Sequence, residues 1–165
     1  MSEIGQNVER EVGNCQIKVL TSEQLIERIY QGEHTPQDKR FLPIKNGGVF
    51  NYFHLGDLIS YNEKKLFFVS AEVDEKIVGL SQLGEDPYKE NNLFLQFVSV
   101  DPKYQGKGYA SKILEGVFDF ANKSHKSLEL SFYTDEGKQK LEKVVDRLIG
   151  KTPIKIFDNH GQVIK

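Results

Sequence analysis

Little in this chain offers ready-made chemistry. It holds a single cysteine, Cys15, among 165 residues. That excludes an intrachain disulfide and fits a reducing compartment. The four histidines, His34, His54, His125 and His160, lie far apart, with no HExxH spacing and no cysteine partners, so no metal is expected. There is no GxSxG, and Cys15 has no histidine nearby, so no nucleophile can be argued. No apolar run approaches the roughly 20 residues that span a bilayer. Residues 1–14 lack the apolar core of a signal peptide. Neither charge sign dominates: 22 Lys and Arg meet 24 Asp and Glu, interspersed, for a net charge of -2. A strongly basic nucleic-acid footprint is therefore excluded. The expectation is a cytoplasmic protein with a polar leader over 1–14 and one domain over 15–165. It is expected to be a monomer or homodimer without nucleic-acid or membrane partners.

What is present is a regular succession of patterned segments. Residues 16–20, QIKVL, alternate as a strand, and Thr21 and Gln24 follow at capping-box spacing. Leu25, Ile26 and Ile29 give the next helix an apolar stripe, which Gly32 ends. Residues 31–48, with two prolines and a Gly-Gly pair, read as a long loop, and 49–61 as a helix. Residues 65–73 and 76–83 are strands about a tight turn at Asp74-Glu75. An acidic turn over 84–92 leads into 93–100, LFLQFVSV, apolar on both faces. Simple alternation puts Phe94, Val98 and Val100 on one face and Leu93, Leu95 and Phe97 on the other, as in a covered central strand. Ala110, Ile113, Leu114, Val117, Phe118 and Ala121 keep helical spacing. A strand over 127–134, a helix over 135–149 and a last strand pair over 152–158 and 161–165 complete the chain. The fold class is α/β, of the α+β kind.

Between the central strand and its helix lies DPKYQGKGYASK, residues 101–112. The first amides of a helix lack intrahelical partners, and the helix dipole makes that end positive. Glycines let a ligand approach the backbone. Such a turn suits a phosphate, and Lys107 adds a full charge. The residues themselves leave three readings open. The glycines could serve chain geometry alone. A mononucleotide loop, GxxxxGK[ST], is broken because Gly108 stands where Ser or Thr should. A dinucleotide GxGxxG is incomplete, since Gly106-Lys107-Gly108 runs on into Tyr109, Ala110 and Ser111.

Val98-Ser99-Val100-Asp101-Pro102, followed by Gln105-Gly106-Lys107-Gly108-Tyr109-Ala110, resembles motif A of the GCN5-related N-acetyltransferases (GNAT). That motif is Q/R-x-x-G-x-G/A after a strand ending in V-D-P or V-x-P, and Gln105, Gly108 and Ala110 fill its fixed positions. The order of elements over most of 16–165 is also similar to that family. The resemblance implies a mixed, mostly antiparallel sheet with a splayed parallel strand pair, flanked by helices. It implies acetyl-CoA as cosubstrate and a small-molecule or protein amine as acceptor. Val98, Ser99 and Val100 would border the pantetheine arm, Val98 and Val100 offering backbone groups to it and to the acetyl carbonyl. Gln105, Gly106, Lys107, Gly108, Tyr109, Ala110 and Ser111 would line the pyrophosphate. The 31–48 loop would form a wall of the acceptor cleft, and its mixed charge indicates no acceptor preference.

One part of the family pattern is missing. The family's recurrent Tyr, in a pattern like N-x-x-A-x-x-L-Y, protonates the departing thiolate. Here KQKLEKVV puts Lys138 where Asn is expected and Val145 where Tyr is expected. Tyr133, just before that helix, is the candidate replacement. For the base, Glu85 is the candidate in the acidic 84–92 turn, at the end of the central strand away from the phosphates. Gln96 could polarise a substrate but cannot act as a base. The missing Tyr keeps a second reading open, a non-catalytic acyl-CoA-binding sensor or interaction module.

Overall fold

The computed structural model describes residues 14–30, 65–86, 88–130, 135–158 and 160–164. The leader up to residue 13, the 31–48 loop, the 49–61 helix and the end of the 127–134 strand lie outside these residues. Six strands form one sheet in chain order: β1 (Gln16–Thr21), β2 (Leu66–Val73), β3 (Lys76–Glu85), β4 (Asn92–Val100), β5 (Ser127–Leu130) and β6 (Ile156–Phe157). β1 to β4 pair antiparallel, while β4, β5 and β6 are parallel. The described helices are α1 (Ser22–Tyr30), α2 (Tyr109–Lys123) and α3 (Asp135–Ile149), with a 3-10 turn at Pro102–Tyr104. The sheet is thus mixed and flanked by helices, as the resemblance implied. The expected last strand pair is reduced: β6 lies parallel to β5 and meets Val163 in one antiparallel bridge through Phe157.

Local chemistry sets the element ends. The Thr21 amide donates to Gln24 Oε1 (2.9 Å) and the Gln24 amide to Thr21 Oγ1 (3.2 Å), a reciprocal cap that starts α1. Asp74 and Glu75 both have positive φ, 50° and 64°. Two such residues make a turn whose twist matches its strands. Arg28 Nη2 donates to the Glu75 carbonyl (3.0 Å) and its guanidinium also meets buried Glu72 (2.9 Å), so α1 is tied to the hairpin. Lys18 from β1 meets the same carboxylate at 2.8 Å.

One core lies between the sheet and α2. It joins Val69, Ala71, Leu83, Leu93, Leu95, Leu128 and Leu130 to Ile113, Leu114, Val117 and Phe118. Burying those four helix side chains contributes about 1.5–3 kcal/mol each and fixes α2, with its N-terminus, against the sheet. Close approach is possible because α2 carries Gly116. A Cβ there would lie 2.6 Å from Ile17 Cγ2 and 2.9 Å from Val69 Cγ1. Phe68 follows the reverse alternation and is buried on the other face, as are its cross-strand neighbour Leu20 and α1's Leu25.

Candidate functional site

Near the centre of the sheet the register of β4 changes. Among the described residues β4 and β5 pair over Asn92–Leu95 against Ser127–Leu130. Beyond Leu95, β4 continues to Val100 with β3 as its only paired neighbour among the described residues. A β-bulge sits at this point. Gln82 faces Phe97 and Leu83 faces Leu95, so Gln96 is an extra residue on β4.

The extra residue reverses the parity of the strand. Before it, the Asn91 carbonyl accepts from the Ser127 amide (2.9 Å). Alternation therefore turns the peptide groups of Leu93 and Leu95 toward β5. After it, the Asp101 amide donates to the Val78 carbonyl of β3 (2.8 Å). Ser99 and Phe97 therefore face β3, and Val98 and Val100 turn their N–H and C=O groups to the side away from β3. The side chains follow the same reversal: Leu93, Leu95, Val98 and Val100 all pack toward the α2 core. Simple alternation had grouped Phe94 with Val98 and Val100, and Phe97 with Leu93 and Leu95; the bulge breaks that grouping.

The Gly-rich turn follows directly on β4. Asp101 Oδ1 accepts from the Lys103 amide (3.0 Å) and starts the 3-10 turn. Gly106 and Gly108 have φ of 76° and 89°, left-handed values that glycine adopts without strain. Gly108 is the N-cap of α2, and its carbonyl accepts from the Lys112 amide (3.2 Å). The amides of the first turn of α2, which include Ala110 and Ser111, stand at the positive end of the helix dipole. Gln105 and Gly106 are exposed, and Lys107 is half-buried with Nζ 5.7 Å from the Tyr104 ring centre. Tyr109 is 1% exposed in the core, edge-on to Tyr104, so only its backbone belongs to the turn's surface.

Some expected site residues fall elsewhere. Ser99 turns its peptide groups to β3 and its side chain away from the face shared by Val98 and Val100. Glu85 lies opposite Leu93, where β4 and β5 are still paired, and its carboxylate forms an ion pair with Lys126. That position is some three strand residues, about 10 Å, from Gln96. Tyr133 lies outside the described residues. Val145, at the position of the family Tyr, is 4% exposed within the core. Gln82, which carried no signal as a site residue, is buried on β3 and donates through Nε2 to Gln96 Oε1. The polar Ser81-Gln82 pair inside an otherwise apolar strand was its only trace in the sequence. Among the described residues no group of three or more His, Cys, Asp and Glu could hold a metal ion, and no helix is long and apolar enough to cross a membrane.

A family model described as the acetyltransferase (GNAT) family matches residues 24–143. No curated protein matches the chain significantly. Solved structures share its fold. An aminoglycoside acetyltransferase, meta-AAC0020, from an uncultured soil metagenomic sample is 16% identical, with TM-score 0.52, covering 82% of this chain and 88% of its own. The ribosomal-protein-S18-alanine N-acetyltransferase from Escherichia coli is 15% identical, with TM-score 0.52, over 81% and 76%. AtaTR, solved bound with AcCoA, is 12% identical, with TM-score 0.51, over 80% and 83%.

Proposed function

This chain belongs to the GNAT acetyltransferase family, and we propose that it transfers acetyl from acetyl-CoA to a primary amine by direct attack in a ternary complex. The observation that carries the reading is the Gly-rich turn, which sets the N-terminus of α2 at the end of β4, beside the strand edge that faces away from β3. Four strand residues separate Gln96 from Val100, about 13 Å. An extended pantetheine arm would fit along this edge, pairing with the peptide groups of Val98 and the N–H of Val100, whose carbonyl already accepts from Gln105. The pyrophosphate would then meet the turn from Gln105 to Ser111, where helix amides and Lys107 supply positive charge.

In the reaction the amine nitrogen attacks the thioester carbonyl carbon. A C–N bond forms and the C–S bond breaks. The amine releases one proton and the departing CoA thiolate takes one up. Acceptors of this site are small-molecule or protein amines. The lone cysteine leads us to infer a cytoplasmic setting.

Calorimetric titration with acetyl-CoA and CoA tests the reading: micromolar binding is expected, and absence of binding to either ends it. The buried Val145 favours one rival, an acyl-CoA-binding module without turnover. Release of free thiol from acetyl-CoA across an amine panel separates the two.

A further inference from the structure

β1 is the outermost strand of the sheet and, among the described residues, pairs only with β2. The opposite edge differs, because β6 meets Val163 in a bridge on its outer side. An unpaired strand edge is a template for another chain, and proteins block it with proline, a bulge or a charge directed over it. β1 has none of these. Its sequence, QIKVLT, holds no proline, and it runs against β2 in unbroken register over all six residues. Its one charge, Lys18, is drawn back over β2, where its Nζ lies 2.8 Å from the buried carboxylate of Glu72. On the other face Val19 is a large apolar side chain left 41% exposed. It lines a groove with Ile17, Gly116, Asp119 and Lys123.

Two edges of the same sequence pair antiparallel about a two-fold axis, and the residue on that axis stands opposite itself. The side chains of β1 decide which residue that is. Lys18 on the axis would set two like charges directly opposite each other. Leu20 is already buried, and Ile17 is already packed against the α2 core. Val19 on the axis buries its exposed surface against its own copy, with Lys18 opposite Leu20 and Ile17 opposite Thr21, so no like charges meet. Asp119 and Lys123, joined at 2.8 Å and both exposed, flank Val19 in the groove. The same axis therefore brings charges of opposite sign from the two copies toward each other. We propose that β1 is a self-association surface, along which two copies of this chain pair antiparallel with Val19 on the two-fold axis, joining two sheets into one. The proposal is independent of the acetyl-CoA reading.

Sedimentation equilibrium of the full chain across the micromolar range reads the association. A dimer is expected, and a monomer at every concentration overturns the proposal. Val19→Lys sets two charges at the axis and is expected to weaken the dimer at least about tenfold. Cross-linking reads the position. In a Cys15→Ser background, Val19→Cys puts two thiols directly opposite, with Cα atoms about 4.5–5.5 Å apart, within disulfide range. Mild oxidation is expected to give a covalent dimer. Gln16→Cys in the same background is the control, because its two copies would lie about 20 Å apart along the paired strands and should not cross-link. A dimer that survives Val19→Lys, or that cross-links equally through both positions, lies on another face and overturns the proposal. Thermal unfolding verifies that each variant folds. The cross-linking arm stands by itself if Val19→Lys does not fold.

Discussion

Gln105 reaches back five residues to donate its Nε2–H to the carbonyl of Val100, at 3.0 Å. The side chain that opens the Gly-rich turn thus closes the end of β4 and ties the turn to the strand. The turn's shape then depends on Gly108, which holds φ 89° at the N-cap of α2.

Gly108→Val forces a branched side chain into that left-handed conformation, at about 1–2 kcal/mol of backbone strain, and covers the helix amides. Acetyl-CoA affinity is expected to fall at least about tenfold, as for a lost charge-assisted hydrogen bond. Calorimetry reads it directly. Unchanged affinity would mean that the phosphates bind elsewhere.

Two glycines at the contact between α2 and the sheet should respond differently to alanine. At Gly116 the new methyl meets Ile17 Cγ2 and Val69 Cγ1 at 2.6 and 2.9 Å. Both are branches at Cβ that cannot swing aside. Gly116→Ala should therefore lose about 1–3 kcal/mol to overpacking, despite the better helix propensity of alanine. At Gly79 the nearest atom is Ile113 Cδ1, 2.6 Å away at the end of a flexible chain, so Gly79→Ala should lose less. Urea unfolding of both variants gives the order, and the reverse order would refute the packing argument.

Cys15 is half-buried at the start of β1. Burial pushes its thiol pKa up, while the backbone near Glu72 and the charge of Lys112 pull it down by less. The thiolate fraction at pH 8 should be below that of a free cysteine, and alkylation by a neutral reagent correspondingly slower. Unfolding in urea should remove the difference. The sign for stability follows: the native state holds the proton more tightly, so the thiol's contribution is complete below the unfolded pKa and is lost as pH rises toward the folded value. Alkylation as fast as in free cysteine would contradict the burial.

Glu85→Gln tests the candidate base. Glu85 is paired with Lys126 in the closed part of the sheet. The substitution should leave the pH profile of acetyl transfer unchanged and lower stability by at most about 1 kcal/mol. Loss of the profile's acid limb would restore Glu85 to the reaction.

Much of this site was legible in the order of residues. Thr21 and Gln24 announced the start of α1 because a reciprocal cap depends on two residues at fixed spacing. The turn at Gly106 and Gly108 was visible because few other residues adopt positive φ there. The apolar period from Ala110 to Ala121 marked the face of α2 that is buried. Each of these is a local property, carried by residues within a turn or two of one another.

The bulge at Gln96 left no local mark. One extra residue in β4 has meaning only against β3, and it reverses which peptide groups of Val98 and Val100 face outward. The same holds for Gln82, an ordinary strand residue until pairing sets it against Gln96, and for Glu85, which pairing sets opposite Leu93. The sequence by itself determined most of the elements, the Gly-rich turn and the family resemblance. Tertiary structure alone decided which groups of β4 face β3 and which face away, because strand register is a relation between distant segments, and a shift of one residue exchanges the two sides of a strand.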